Sequence, residues 1–348
     1  MDYCGLDLGR KSSRYCIVDK ERNILRQGNV STHEAGLRKL FKKQAPLEIV
    51  VEASCGAFWI AEMLMEMGHT VYVVDPNRTK AIGASLIKND KLDARWLAYL
   101  CAAGLLAKVR VQTRPERIAR MPSTSRDAVV RARTKLLNAV RGMAAAEGVS
   151  LRQSRPEQLV SLVDAVQEHL PDGMYDAMLP LLDAIEGLNV CVDSACAELV
   201  DKARTDAVLL RLQTVPGVGP LTAGVYAAAI IDPSRFKSGR DVGAYLGLVP
   251  SLYQSGKTMR RGRITKRGNR QARWALTMAA NSLLLCKKST PLVEWGKSLH
   301  KRVGRKKAIV AIARKLASVL WAIWLREQEY DPKLATQIRF RVLHAAMD

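Results

Sequence analysis

Acid is scarce in this sequence, and scarcest between Ser251 and Arg273. That stretch, SLYQSGKTMRRGRITKRGNRQAR, carries Lys257, Arg260, Arg261, Arg263, Lys266, Arg267, Arg270 and Arg273 and no carboxylate. Over the whole chain 33 Asp plus Glu stand against 55 Lys plus Arg, a formal net charge of +22. Such a field argues against acidic-surface chemistry and for a polyanionic partner, nucleic acid before an acidic membrane. Cysteine is sparse too. The seven, an odd number without paired close spacing, exclude a disulfide framework and read as buried free thiols of a reducing compartment. No Cys/His cluster has zinc spacing. The histidines His33, His69, His169, His300 and His344 belong to no Ser-His-Asp arrangement, so a hydrolase triad has no support. No long apolar run is free of charge. The longest, Ala308 to Leu325, contains Arg314 and Lys315, which are costly at a bilayer centre; it reads as an amphipathic helix packed in a core. The N-terminal MDYCGLDLGRK lacks a charged-then-apolar signal pattern. A cytoplasmic protein is expected.

What is present is a folded chain of ordinary composition, 48% apolar and 25% charged, whose 348 residues suffice for two or three domains. The N-terminal third predicts strands over Tyr3 to Leu8, Arg14 to Asp19 and Ile24 to Val30. A helix follows with Ala35, Leu37, Leu40 and Phe41 as its apolar positions, then a β-branched strand over Leu47 to Val51. Ala57 to Met67 predicts a helix, Thr70 to Val74 a fifth strand, and Asn89 to Ala103 a helix with Leu92, Trp96, Leu97 and Leu100 on one face. Three antiparallel strands followed by two crossovers is the order of the RNase H-like fold, and right-handed crossovers place the fourth strand beside the first.

In that topology Glu52, just past the fourth strand, lies close to Asp7 on the first. Asp90 and Asp93 are three apart and share a helix face. If that helix packs across the sheet, four carboxylates converge. Clustered carboxylates repel unless a cation neutralises them, and an oxygen-rich site with partial carboxylate ligation suits Mg²⁺, which can serve phosphoryl transfer. Taken singly, each acid reads better as a structural residue: Asp7 as a turn cap, Glu52 as a strand-end charge, Asp90 and Asp93 as solvated helix residues; it is the four together that point to a site. Asp7-Leu8-Gly9 with Ser12 also resembles the first phosphate loop of sugar kinases, but no second such loop follows and the positive charge suits a metabolite kinase poorly.

Arg114 to Arg126, rich in Arg, Pro and Ser, predicts a boundary. A helix capped by Ser125 follows to about Glu147, with Arg126, Arg131, Arg133, Lys135 and Arg141 available to lie along a nucleic-acid backbone. Helices are expected near Pro156 to His169 and from Tyr175 to Arg204, whose stripe of Leu181, Leu182, Ile185, Leu188, Val192 and Leu199 suits a hairpin or a coiled-coil arm. Pro180 argues against one unbroken helix. Leu212 to Ala223, LQTVPGVGPLTA, has the helix-hairpin-helix pattern: Gly217 and Gly219 let backbone N–H groups approach a phosphate at a helix N-terminus. Helices are also expected over Arg273 to Cys286 and Arg302 to Leu325. Ser255, followed by Gly256, opens the basic stretch on a loop; from its residue type it is a phosphate ligand, a surface serine or a nucleophile.

Two separated signatures carry a family resemblance. Gly5-Leu6-Asp7, Val51-Glu52-Ala53 with Gly56, Asp75-Pro76 and Lys88-Asn89-Asp90-Lys91-Leu92-Asp93-Ala94 resemble the acidic domain of the Piv/MooV-type DEDD transposases of the one-ten insertion-sequence family. Pro216-Gly217-Val218-Gly219, Leu246-Gly247-Leu248-Val249-Pro250, Ser255-Gly256-Lys257 and Lys266-Arg267-Gly268-Asn269 resemble its C-terminal domain, in the family's order. Asn89 stands where many members have Thr, and Gln254 where many have a second Ser; Ser251 is a distant alternative to Ser255. The resemblance implies three regions: an α/β RuvC-like acidic domain over residues 1–113, a helical or coiled-coil arm over 114–208, and a mainly α transposase domain over 209–348. It further implies an RNA-guided DNA recombinase, in which a noncoding bridge RNA pairs with donor and target DNA. Composite sites would form between subunits of a dimer or tetramer. Ser255 would be the nucleophile, forming a phosphoserine link, with Asp7, Glu52, Asp90 and Asp93 as Mg²⁺ ligands. A RuvC-like junction nuclease using water as nucleophile, or a non-catalytic nucleic-acid-binding protein, remains open from the residues alone.

Overall fold

A computed structural model describes the chain except residues 77, 80–89, 152–154, 256–257 and 334–348; at Asp90, Lys91, Leu92, Ser255 and Arg261 it describes the backbone alone. The chain divides into two compact units, Met1–Ile118 and Ala119–Asp348.

The first unit is a mixed six-stranded sheet. Its elements run β1 (Asp2–Asp7), β2 (Ser12–Val18), β3 (Ile24–Ser31), α1 (Glu34–Phe41), β4 (Leu47–Glu52), α2 (Ala57–Glu66), β5 (Thr70–Val74), α3 (Asp90–Ala102) and β6 (Lys108–Val109). The strand order is β3-β2-β1-β4-β5-β6. β1 is antiparallel to β2 and parallel to β4, with Gly5 opposite Val50 and Leu6 opposite Val51. The expected elements are all present and the fourth strand lies beside the first, an arrangement consistent with the RNase H-like order. The two-residue β6, antiparallel to β5, is too short to leave a sequence pattern.

Side-chain alternation divides the sheet's neighbours. Cys4, Leu6, Ile49 and Val51 pack with Leu37 and Phe41 of α1 and Ile60 and Leu64 of α2. The opposite face is covered by α3, whose Ala94 and Ala98 meet Cys16 and Val18 while Leu97 and Cys101 meet Val50 and Val74. β1 and β4 are therefore buried on both sides, which explains their near-continuous apolar runs.

The chain continues through α4 (Arg114–Ala146), two 3₁₀ turns around α5 (Leu159–Ala165), α6 (Met174–Thr205), α7 (Ala207–Gln213), α8 (Pro220–Ile230), α9 (Gly239–Tyr245), strands β7 (Pro250–Ser255) and β8 (Thr258–Ile264), and α10 (Arg270–Leu285), α11 (Pro291–Val303) and α12 (Arg305–Arg326). The boundary expected over Arg114 to Arg126 coincides with the division between the units after Ile118, and it runs through helix: Glu116 accepts from Thr113 N–H and pairs with Arg110 while Arg117 binds Glu62, fixing the first turns despite Pro122. Two expectations fail here. Pro180 does not break α6. It sits near the start, and the buried stripe of Met178, Leu182, Ile185, Val192 and Leu199 outweighs one lost hydrogen bond. The basic stretch is no loop; its first half is an antiparallel hairpin.

The second unit holds two apolar cores. Leu137, Val140 and Ala144 of α4 pack with Leu159 and Val163 of α5 and Met178, Leu182 and Ile185 of α6, so that part of the α6 stripe is satisfied within the chain. A larger core joins α7 to α12, with Tyr226 fully buried and donating to the carbonyl of Ala317 at 2.7 Å. Among the described residues one helix, the 22-residue α12, is long and apolar enough to cross a membrane. Ala308, Ile312, Leu316 and Leu320 are nevertheless fully buried in this core, as its pattern predicted. All seven cysteines are free, though only Cys4, Cys16 and Cys101 are buried. Burial pushes the Cys101 thiol up to about 12, with Glu48 adding to the rise.

Candidate nucleic-acid-processing site

The acidic candidates are positioned by one glycine. A Cβ at Gly5 would lie 2.0 Å from the Ala94 carbonyl oxygen and 2.5 Å from the Ala98 nitrogen, so the α3 backbone rests directly on β1. Gly5 therefore faces α3. Asp7, two residues on, faces the same way at the end of the strand. Val50 packs against Leu97 on that face, which puts Glu52 there too, on the adjacent parallel strand. Asp90 and Asp93 occupy the first turn of α3, with Asp93 directly before the Ala94 contact. The backbone thus brings all four acid positions to one face at one end of the sheet. Asp7 and Glu52 are half-buried and Asp93 is exposed; the Asp90 side chain lies outside the described residues. Arg14 stands opposite Asp7 on β2, a cation that sequence reasoning passed over.

Among the described residues no group of three or more His, Cys, Asp or Glu is gathered closely enough to cage a metal. The donor set nevertheless suits a hard cation. It offers carboxylate oxygens alone, and Mg²⁺ binds through one or two carboxylates while keeping several waters.

The second candidate region is the hairpin. Ser255 closes β7 and pairs with Thr258; Gly256 and Lys257 lie outside the described residues. Ser251, the alternative serine, donates its hydroxyl to the Arg263 carbonyl at 3.1 Å and so is committed to the partner strand. Arg260, Arg263, Lys266, Arg267 and Arg270 are exposed, and Arg261 is described by its backbone only. Arg273 is not a solvent-facing cation. Its Nη1 donates to the carbonyls of Leu246, Arg267 and Gly268 at 3.1, 2.7 and 3.1 Å. Burial, and then Arg270, hold its pKa below the usual guanidinium value.

Those carbonyls belong to two of the sequence signatures, which prove to be one structure. Gly247, at φ +68°, leaves room for Arg267, whose carbonyl oxygen a Cβ would approach to 2.1 Å. Gly268, at φ +77°, likewise faces the Tyr245 carbonyl at 2.0 Å. Lys266 N–H donates to Gly247 and Thr265 N–H to Val249, while Asn269 caps α10 through Ala272 N–H. The hairpin grows from this clamp.

Gly217 and Gly219 join α7 to α8 as the pattern expected, yet they differ. Gly217, at φ +83°, is pressed against the α10 backbone, 2.6 Å from the Ala279 carbonyl oxygen for an added Cβ, whereas Gly219 caps α8 in open space. Of the cations expected along α4, Arg133 is buried and donates to Asn189, Arg126 contacts Cys196 and lies over Trp274, and Arg131 pairs with Asp127. These three serve the fold.

Residues 4–145 match a family of DEDD transposases of the IS110 type, and residues 209–292 match the family described as "Transposase IS116/IS110/IS902 family". A protein of Pseudomonas aeruginosa named "Probable family 20 transposase" is 30% identical over 337 residues, covering 94% of this chain and 98% of that one. The chain belongs to the IS110/IS116/IS902 transposase family. A Coxiella burnetii transposase for insertion sequence element IS1111A is 27% identical across 94% of this chain and 90% of its own. A pilin gene-inverting protein of Moraxella bovis is 24% identical across 95% and 98%. The two matched segments of this transposase contain the acidic sheet end and the serine hairpin respectively.

Proposed function

We propose that this transposase cuts and rejoins DNA through a phosphoserine link formed by Ser255, assisted by Mg²⁺ held by Asp7, Glu52, Asp90 and Asp93, with a noncoding bridge RNA choosing donor and target by base pairing. The observation that carries the reading is the alignment of Asp7 and Glu52 on adjacent strand ends, beneath the first turn of α3. Bound there, Mg²⁺ would supply charge stabilisation at a phosphate. The Ser255 Oγ attacks phosphorus; the Oγ–P bond forms as one P–O bond to the sugar breaks, the serine proton leaves to solvent and the freed sugar oxygen takes one up. Rejoining reverses these steps, so the number of phosphodiester bonds is conserved and no external energy source is needed. The exposed cations of the hairpin neutralise backbone phosphates, and sequence choice rests with RNA pairing. Catalytic sites complete themselves between subunits of a dimer or tetramer.

The test is a trapping assay. The full chain is purified with its RNA, that RNA is sequenced, and DNA carrying matching segments is supplied with Mg²⁺. A covalent protein–DNA adduct is expected, absent in Ser255→Ala. An adduct persisting in that variant overturns the serine assignment. Cleavage with no adduct, indifferent to Ser255→Ala, identifies a junction nuclease using water.

A further inference from the structure

The base of the β7–β8 hairpin and helices α11 and α12 enclose a cleft of about 1010 Å³. Arg263, Lys266, Arg302, Lys306, Lys307 and Arg314 line it, and no acid does. Among the described residues none of these six is ion-paired to a carboxylate. Arg314 is half-buried, and burial followed by Arg240 holds its pKa below the usual value. Lys306 and Lys307 stand in the first turn of α12, which has no acidic residue. There the helix dipole disfavours cations, so their placement works against local stability. Cations crowded around one cleft repel one another until an anion enters.

The rest of the lining is apolar. Leu248, Ile264, Leu299 and Val310 contribute to it, as does Trp295, which is 37% exposed. A duplex presents phosphates but hides its base faces, and would leave this apolar surface wet. A single strand presents both, and aromatic side chains in basic grooves bind such strands by stacking.

We propose that this cleft binds a single-stranded segment of nucleic acid, with backbone phosphates on the six cations and an unstacked base against Trp295. The proposal rests on the reading that the protein handles nucleic acid, but not on Ser255 or the carboxylates. The experiment measures binding of labelled twelve-nucleotide single strands, RNA and DNA, and of a twelve-base-pair duplex to the full chain across a salt series. Trp295→Ala should weaken single-strand binding about tenfold and leave duplex binding within about twofold. Trp295→Phe should recover most of the loss, and the retained duplex binding of Trp295→Ala shows that the fold survives. Lys306→Ala with Lys307→Ala should flatten the single-strand salt slope by about 1.4. The RNA and DNA arms identify which strand is preferred. Single-strand binding indifferent to Trp295→Ala, or duplex binding falling in parallel, overturns the proposal. The trapping assay separates the two readings: strand binding that depends on Trp295 without any adduct sinks the recombinase reading alone, and an adduct with no dependence on Trp295 sinks this one alone.

Discussion

The acidic end of the N-terminal sheet and the basic hairpin of the C-terminal unit position their side chains by opposite means. Asp7 and Glu52 end strands that are paired on both edges and covered on both faces. Their spacing is imposed by sheet register, and the α3 acids are set by a backbone contact at Gly5. Ser255 ends a strand with one partner, in a two-stranded ribbon whose Leu252, Tyr253 and Met259 are 61%, 69% and 52% exposed. Such a ribbon is marginal alone, and here the Gly247–Gly268 clamp fixes its base. The contrast fits the proposed roles: ligands of a hard cation demand fixed geometry, whereas a nucleophile delivered to a nucleic acid profits from a support that conforms to it.

The contrast breaks first if the acids prove dispensable. Asp7→Asn and Glu52→Gln each remove a carboxylate charge with little change in shape. Strand cleavage is expected to fall about 10³-fold, with DNA affinity nearly unchanged and loss of the response to added Mg²⁺. Equal loss of affinity would mark them as structural. Mixing Asp7→Asn chains with Ser255→Ala chains should restore part of the activity if catalytic sites are completed between subunits; no recovery argues that one chain supplies both groups.

The next effect concerns Gly5. Gly5→Ala sets a methyl against the α3 backbone and should cost about 3 kcal/mol, read as a lower denaturation midpoint. If the unit stays folded, cleavage should fall further than stability alone explains, because α3 carries Asp90 and Asp93. A neutral Gly5→Ala would mean the acidic face is as pliable as the hairpin.

Much of this was legible in the chain. The strands followed from short apolar, β-branched runs bounded by polar turns, and the Asp7–Glu52 adjacency from the right-handedness of crossovers. Gly5 left a faint signal, since an isolated glycine in an apolar strand marks close backbone approach; its partner lies about 90 residues away and only the fold names it. The hairpin was missed because a run of like charge reads as a solvated loop, while pairing such as Tyr253 with Arg260 depends on turn geometry. Arg273 looked like one more phosphate contact, and nothing in its neighbours foretells three carbonyl partners. The α4 arginines misled likewise, since Asn189 and Cys196 arrive from a distant helix.

Arg273 gives a smaller test on the other side of the comparison. Arg273→Ala removes three charged hydrogen bonds and should cost about 2 kcal/mol, with faster hydrogen exchange along Thr258–Ile264. Arg273→Lys should recover little, since its ammonium stands one bond nearer the backbone than the Nη1 that makes all three contacts. If hairpin exchange is unchanged, the ribbon is held by glycine packing alone.

The smallest effect separates the units by pH. His69 is 6% exposed, its Nδ1 accepts from Leu47 N–H at 3.2 Å, and its ring meets Phe41 edge-on at 5.7 Å. Burial holds its pKa below the ordinary 6.5, opposed by a hydrogen bond with the Phe41 backbone. The unfolded chain therefore binds the proton first as pH falls. His69's contribution is complete above the unfolded pKa of about 6.5 and is lost as the pH drops toward the lower folded value. Acidification from pH 7 to pH 5 should lower the exchange protection of the Leu47 amide and the β4 amides beside it, measured against the intrinsic exchange rate at each pH. His69→Asn keeps an acceptor near the Nδ1 position without a titrating group, and should flatten that dependence while leaving exchange in the α8–α12 core unchanged. An unaltered pH profile in His69→Asn would show that His69 does not set the acid sensitivity of the sheet.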